Sequence, residues 1–137
     1  MFRKIENIVI HCTATRKDAK ISSIQNYWRN YLGWHYPGYH YLIASNGFCL
    51  QLLDENKVSN GVRGHNQTAV NIGYVGGLDS NGINRDTRTK EQKKTLLNLI
   101  KKLRCRYPHA NILGHRDFQG VAKSCPNFDA KKEYKNI

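Results

Sequence analysis

The chain has 137 residues, 39% of them apolar, and carries 22 Lys+Arg against 10 Asp+Glu for a net charge of +12. That length allows one domain with one core, and no apolar run approaches the roughly 20 residues of a membrane-spanning helix. The basic balance favours anionic partners, such as nucleic acid, anionic lipid or a polyanionic cell wall, without choosing among them.

The start, Met1-Phe2-Arg3-Lys4-Ile5-Glu6-Asn7, breaks into charge before an apolar signal region can form. The chain is therefore expected to be made in the cytoplasm without a signal peptide. Asn7 to Cys12 is short, β-branched and apolar, which predicts a buried strand. Its alternation sends His11 and Cys12 to opposite faces. We assign His11 to a cleft and Cys12 to the core.

After a polar loop, Thr13 to Asp18, a first helix is expected over Ser22 to Leu32, capped by Ser22 or Ser23. Ile24, Tyr27, Trp28 and Tyr31 recur at helical spacing as its core stripe, and Gly33 suits its end. Trp34 to His40 is an aromatic turn around Pro37-Gly38. Two apolar runs, Tyr41 to Ser45 and Phe48 to Leu53, flank Asn46-Gly47, a strong hairpin signal.

Asp54 to Gln67 reads as a polar surface segment bearing Arg63, His65 and Asn66. Ala69 to Val75 alternates as a strand, and Leu78 to Arg88 follows as a loop with a turn at Asn81-Gly82. Thr89 and Gln92 match a capping box for a helix running to about Arg106. Leu96, Leu99, Ile100 and Leu103 form its buried face, with Lys93, Lys94, Lys101, Lys102 and Arg104 mostly outside it. A last strand, Asn111 to His115, again ends in histidine. Two parallel neighbouring strands would bring His11 and His115 together at their C-terminal ends, where α/β folds gather their sites.

The four cysteines, Cys12, Cys49, Cys105 and Cys125, include no C-x-x-C pair. Without a signal peptide the reduced state is expected. Cys125 lies in Gly114 to Asp129, a segment that also carries His115 and Lys123 and ends at a helix start. Two imidazoles and one thiolate suit tetrahedral zinc with its fourth position open. Such zinc lowers the pKa of water from about 15.7 to roughly 7 and polarises a carbonyl, as amide hydrolysis requires. Lys123 is a candidate oxyanion stabiliser, Tyr39 a hydrogen-bonding partner of the reacting groups, and Asp117 a residue that would orient a histidine.

These residues, in order, resemble the zinc-dependent N-acetylmuramoyl-L-alanine amidases of the phage-lysozyme type, which share their fold with peptidoglycan recognition proteins. The resemblance rests on Ile8 to Thr15, Gly38 to Ile43, Gly64-His65-Asn66, Tyr74 to Asp79, Gly114 to Asp117 and Lys123 to Asp129. It implies an α/β single domain over residues 1–137, with a central mixed β-sheet flanked by helices. It also implies zinc held by His11, His115 and Cys125, with Tyr39 beside the zinc water and Lys123 assisting the transition state. The implied reaction cleaves the amide between N-acetylmuramic acid and L-alanine in peptidoglycan, an endolysin-like lysis of the wall after release.

Many relatives have glycine after the Cys-Pro pair, where this chain has Asn127. The segment Asn60 to Asn66 is compact for a loop bordering the substrate groove, and Arg63, His65 and Asn66 are its candidate substrate contacts. No separate wall-binding module is expected beyond the last helix. The +12 charge would serve instead, through anionic wall polymers or outer-membrane lipid. A monomer is expected. The alternatives are a non-catalytic peptidoglycan-binding recognition module, which the presence of Cys125 disfavours, and a basic nucleic-acid-binding or polymerase-regulating domain. No stable nucleic-acid complex is expected.

Overall fold

A computed structural model describes residues 3–137; Met1 and Phe2, from the charged start, lie outside the described residues. Five strands form one mixed sheet in the order β3-β2-β4-β1-β5. They are β1 (Asn7–Cys12), β2 (Tyr41–Ile43), β3 (Cys49–Gln51), β4 (Ala69–Tyr74) and β5 (Asn111–Gly114). β1 runs parallel to both β4 and β5, β2 parallel to β4, and only β3 is antiparallel, closing the expected hairpin at Asn46-Gly47.

Strand alternation divides β1 as its sequence requires. Ile8, Ile10 and Cys12 join Val70, Ile72 and Tyr74 of β4 in a core covered by the helix α2 (Lys90–Arg106) and the short α3 (Ala130–Glu133). Val9 packs on the other face with Val62 and Ala69, and His11 shares that face. β4 is buried along its whole length rather than on one side, because both sheet faces are covered.

α2 behaves as its pattern predicts. The Thr89 hydroxyl accepts the Gln92 amide and the Gln92 side chain accepts the Thr89 amide, satisfying two otherwise orphaned donors. Gln92 also donates to the carbonyls of Ile43 and Val75, at 3.1 and 3.0 Å, tying the helix start to the ends of β2 and β4. Leu96, Ile100 and Leu103 are fully buried, each contributing about 1.5–3 kcal/mol, while Leu99 is half-buried.

The first helix departs from expectation. α1 (Ile21–Asn26) starts after Lys20 with no side-chain cap, so neither Ser22 nor Ser23 serves as one. It widens into a π-helical turn at Tyr27–Tyr31, where the Leu32 amide donates to the Tyr27 carbonyl. The wider turn breaks the 3.6-residue register. Ile24 and Trp28 stay buried, but Tyr27 and Tyr31 are 49% and 77% exposed and stack on each other at 5.0 Å.

The Asp54 to Gln67 segment is also less superficial than its polarity suggested. Glu55, Ser59 and Val62 are buried. Glu55 is satisfied there by the hydroxyls of Tyr41 and Tyr107 and by Arg106, which permits a carboxylate to leave water. All four cysteines are free thiols. Among the described residues no helix is long and apolar enough to cross a membrane.

Candidate metal centre

The parallel pairing of β1 with β5 sets Ile10 beside Gly114, so His11, the next residue of β1, lies beside His115, which leaves β5 as the first residue of a 3-10 turn. Their rings lie 5.0 Å apart, inclined at 65°. Cys125 arrives from the loop beyond β5. The Arg116 amide donates to the Cys125 carbonyl at 2.8 Å, and the Cys12 amide donates to the Cys125 sulfur at 3.2 Å. The ligand atoms of His11, His115 and Cys125 lie within 4.8 Å of one another. They line a cleft of about 180 Å³ with Tyr39, Lys123, Trp28 and Trp34 on its walls.

The donor set fits zinc: two nitrogens and one sulfur, with no fourth protein ligand grouped with them among the described residues. The charge states suit ligation too. Burial, reinforced by His115, lowers the His11 pKa to about 3. Burial and the nearby Lys123 ammonium lower that of His115 to about 4. Both imidazoles are therefore neutral at pH 7, the form that binds metal. The neighbouring Cys12 sulfur and burial push the Cys125 thiol pKa up; a bound cation favours the thiolate instead.

Tyr39 lies against this pair. Its ring is 4.9 Å from that of His11 and edge-on to Trp28 at 5.3 Å, and its hydroxyl donates to the Cys12 carbonyl at 3.1 Å. Burial first, and then the two nearby sulfurs, raise its pKa well above the ordinary value, so it remains a donor. Gly73, opposite His11 in the β1–β4 register, makes this possible: a Cβ there would come within 2.4 Å of the Tyr39 ring. Lys123 is exposed at the rim of the same cleft.

The other sequence-chosen residues fall elsewhere. Arg63, His65 and Asn66 are not among the residues lining this cleft. Arg63 is exposed, and His65 packs against Phe118 at 4.4 Å. The Asn66 side-chain oxygen is occupied by the amides of Gly61 and Val62, at 3.0 and 2.7 Å, which shape its own loop. Asp117 does not orient a histidine; its carboxylate accepts the Gly114 amide at 2.7 Å, closing the turn after β5.

Two further residues bear on the site, Asn71, which the sequence reading leaves without a role, and Asn127. Asn71, fully buried in mid-β4, accepts a hydrogen bond from His11 Nε2 at 2.8 Å. A polar amide inside an apolar strand was its only visible signal. Asn127 has φ +69°, the left-handed region where glycine is easiest and asparagine the next choice, which accounts for an asparagine where many relatives have glycine. Its amide donates to the carbonyls of Gly77 and Arg85, at 2.8 and 3.0 Å, anchoring the segment that carries Cys125.

Comparison with known proteins agrees with this geometry. The family described as N-acetylmuramoyl-L-alanine amidase matches residues 1–128. The endolysin of Klebsiella phage KP32 is 32% identical over 132 residues, spanning 95% of this chain and 85% of its own. That of Enterobacteria phage K11 is 34% identical over 125 residues, spanning 90% and 81%. Among solved structures, the Ph2119 endolysin from the Thermus scotoductus MAT2119 bacteriophage Ph2119 superposes with a TM-score of 0.79 at 29% identity, covering 93% of this chain and 80% of that one. With a mixed sheet whose adjacent strand ends present two histidines to one cysteine, and with a family match running through that cysteine, the chain belongs to the N-acetylmuramoyl-L-alanine amidase family.

Proposed function

We propose that this chain is a zinc-dependent amidase that cuts the bond between the lactyl group of N-acetylmuramic acid and the L-alanine of the stem peptide, acting on the cell wall after release as an endolysin. The observation that carries the zinc reading is the set of His11, His115 and Cys125 ligand atoms within 4.8 Å of one another, beside an open cleft. Zinc bound there would supply Lewis acidity, acidifying a water and polarising the scissile carbonyl.

The chain's own residues divide the remaining work. His11 and His115 are neutral and need no deprotonation to ligate. Lys123 places a positive charge at the cleft rim, where negative charge develops on the carbonyl oxygen as the amide is attacked. Tyr39, protonated and lying against His11 in the same cleft, would orient the attacking water or the oxyanion once its hydroxyl turns from the Cys12 carbonyl. Trp28 and Trp34 give the cleft aromatic walls suited to sugar or peptide faces. Contact of Arg63, His65 and Asn66 with substrate would require groups reaching beyond this cleft. The net charge of +12 would hold the enzyme near anionic wall polymers.

Mass analysis of peptidoglycan digested by the purified protein tests the reading. Free stem peptides beginning at L-alanine are expected with zinc, none after chelation, and activity returns when zinc is restored. Lys123→Ala should retain zinc while losing about 10²–10³-fold in turnover. Glycan strands and stems left joined by fully zinc-loaded protein would refute the proposal and favour a recognition module.

A further inference from the structure

The hydrogen-bond partner of His11 has a direction that can be worked out from the backbone. Asn66 Oδ1 accepts two main-chain amides, those of Gly61 and Val62. A main-chain N–H only donates, so this atom is an oxygen and an acceptor. The Asn71 side-chain atom facing it, at 3.4 Å, must therefore be the NH2 group. The same NH2 group lies 2.8 Å from the Ser59 hydroxyl, and that hydroxyl is 3.2 Å from His40 Nδ1. His40 Nδ1 accepts the Asn71 main-chain amide at 3.0 Å, so it carries no proton to give to Ser59, whose oxygen is left to accept from the Asn71 NH2 group. His40 Nε2 then donates to the Lys57 carbonyl at 2.7 Å. Each partner agrees on one orientation for the Asn71 amide, with its oxygen turned towards His11.

An amide oxygen has no proton to give. The 2.8 Å contact with His11 Nε2 therefore requires that nitrogen to hold the proton. We infer that Asn71 is a positioning residue for the metal centre, locking His11 as its Nε2–H tautomer so that Nδ1 is the bare nitrogen offered to the ion. The inference rests on the zinc reading proposed above. Asn71, Ser59 and His40 are each 0% exposed, so water does not compete for these bonds. Gly61 keeps the space open: a Cβ there would come within 2.3 Å of the Asn71 amide. Asn66, named from sequence as a candidate substrate contact, sets the direction of this chain of donors.

Fixing the tautomer before metal arrives removes a step that binding would otherwise have to drive. Partners of this kind typically alter metal affinity about 10–100-fold.

The test combines side-chain nitrogen NMR of His11 in metal-free protein near neutral pH with zinc titration. Wild type should show a protonated Nε2 and an unprotonated Nδ1. Asn71→Leu, which keeps the volume but removes the acceptor, should give mixed tautomers and zinc affinity weaker by about 10–100-fold. Asn71→Asp, which keeps an acceptor towards His11, should restore the Nε2–H tautomer. A protonated Nδ1 in metal-free wild type overturns the inference, as does a folded Asn71→Leu protein with unchanged zinc affinity. Should Asn71→Leu not fold, the wild-type spectrum decides alone. Because the spectrum is read without substrate, loss of the amidase reading would leave a correct tautomer visible.

Discussion

Loss of Arg88, a side chain outside the cleft, should be felt at Cys125. Its guanidinium makes two bonds of 2.9 Å to Asp86 and two of 2.8 and 2.9 Å to Glu133, and lies 3.3 Å above the Phe128 ring. Its side chain is 2% exposed, whereas those of Asp86 and Glu133 are 30% and 43% exposed. Arg88→Met keeps the length and removes the charge. Breaking a buried pair costs about 3–5 kcal/mol, and because both orphaned carboxylates can partly rehydrate, the lower end applies. We expect a loss of about 3 kcal/mol, lowering the urea midpoint by roughly 1.5 M at an m-value of about 2 kcal/mol/M. Phe128 and Glu133 belong to the stretch that follows Cys125, so zinc affinity should weaken as well. Urea unfolding followed by circular dichroism, with zinc titration of the same sample, measures both. A midpoint within about 0.3 M of wild type at equal m-value would show that this cluster does not hold the Cys125 segment in place.

Gly73→Ala should push the Tyr39 ring off His11, since the new Cβ begins 2.4 Å from it. The overpacking costs about 1–3 kcal/mol, and turnover on peptidoglycan should fall by roughly 10²-fold from the displaced geometry; wild-type turnover would argue against a role for Tyr39. Metal-free protein should lose stability in mild acid. His11 and His115 titrate at about 3 and about 4 in the native state against roughly 6.5 unfolded, so below that value the unfolded chain takes up protons the native state refuses. The contribution is complete above about pH 6.5 and is lost as pH falls from there through about 4 and then about 3. Urea midpoints measured with chelator should show this slope, His11→Gln should reduce it to the His115 contribution, and equal midpoints at about pH 7 and 5 would contradict the assignment.

Much of the architecture is legible because it is written in short-range patterns. The β-branched run ending in His11, the Thr89–Gln92 box, the Asn46-Gly47 hairpin and the stripe of Leu96, Ile100 and Leu103 each depend on neighbours within a turn or a strand. The first helix departs from its local pattern. Its helical spacing made Tyr27 and Tyr31 core residues, but a π-helical turn, which no local pattern announced, left both exposed.

The candidate ligands, and the condition under which two of them meet, are legible in the sequence: His11 and His115 come together if β1 and β5 are parallel neighbours, as they are. What surrounds them was decided only by tertiary contact. Asn71 reaches His11 from 60 residues away in the chain, Arg88 meets Glu133 across 45, and Asn66 faces its own loop rather than the cleft. Periodicity reports which side of an element is buried, whereas the partner of a buried polar group depends on the register of strands brought together by the whole fold.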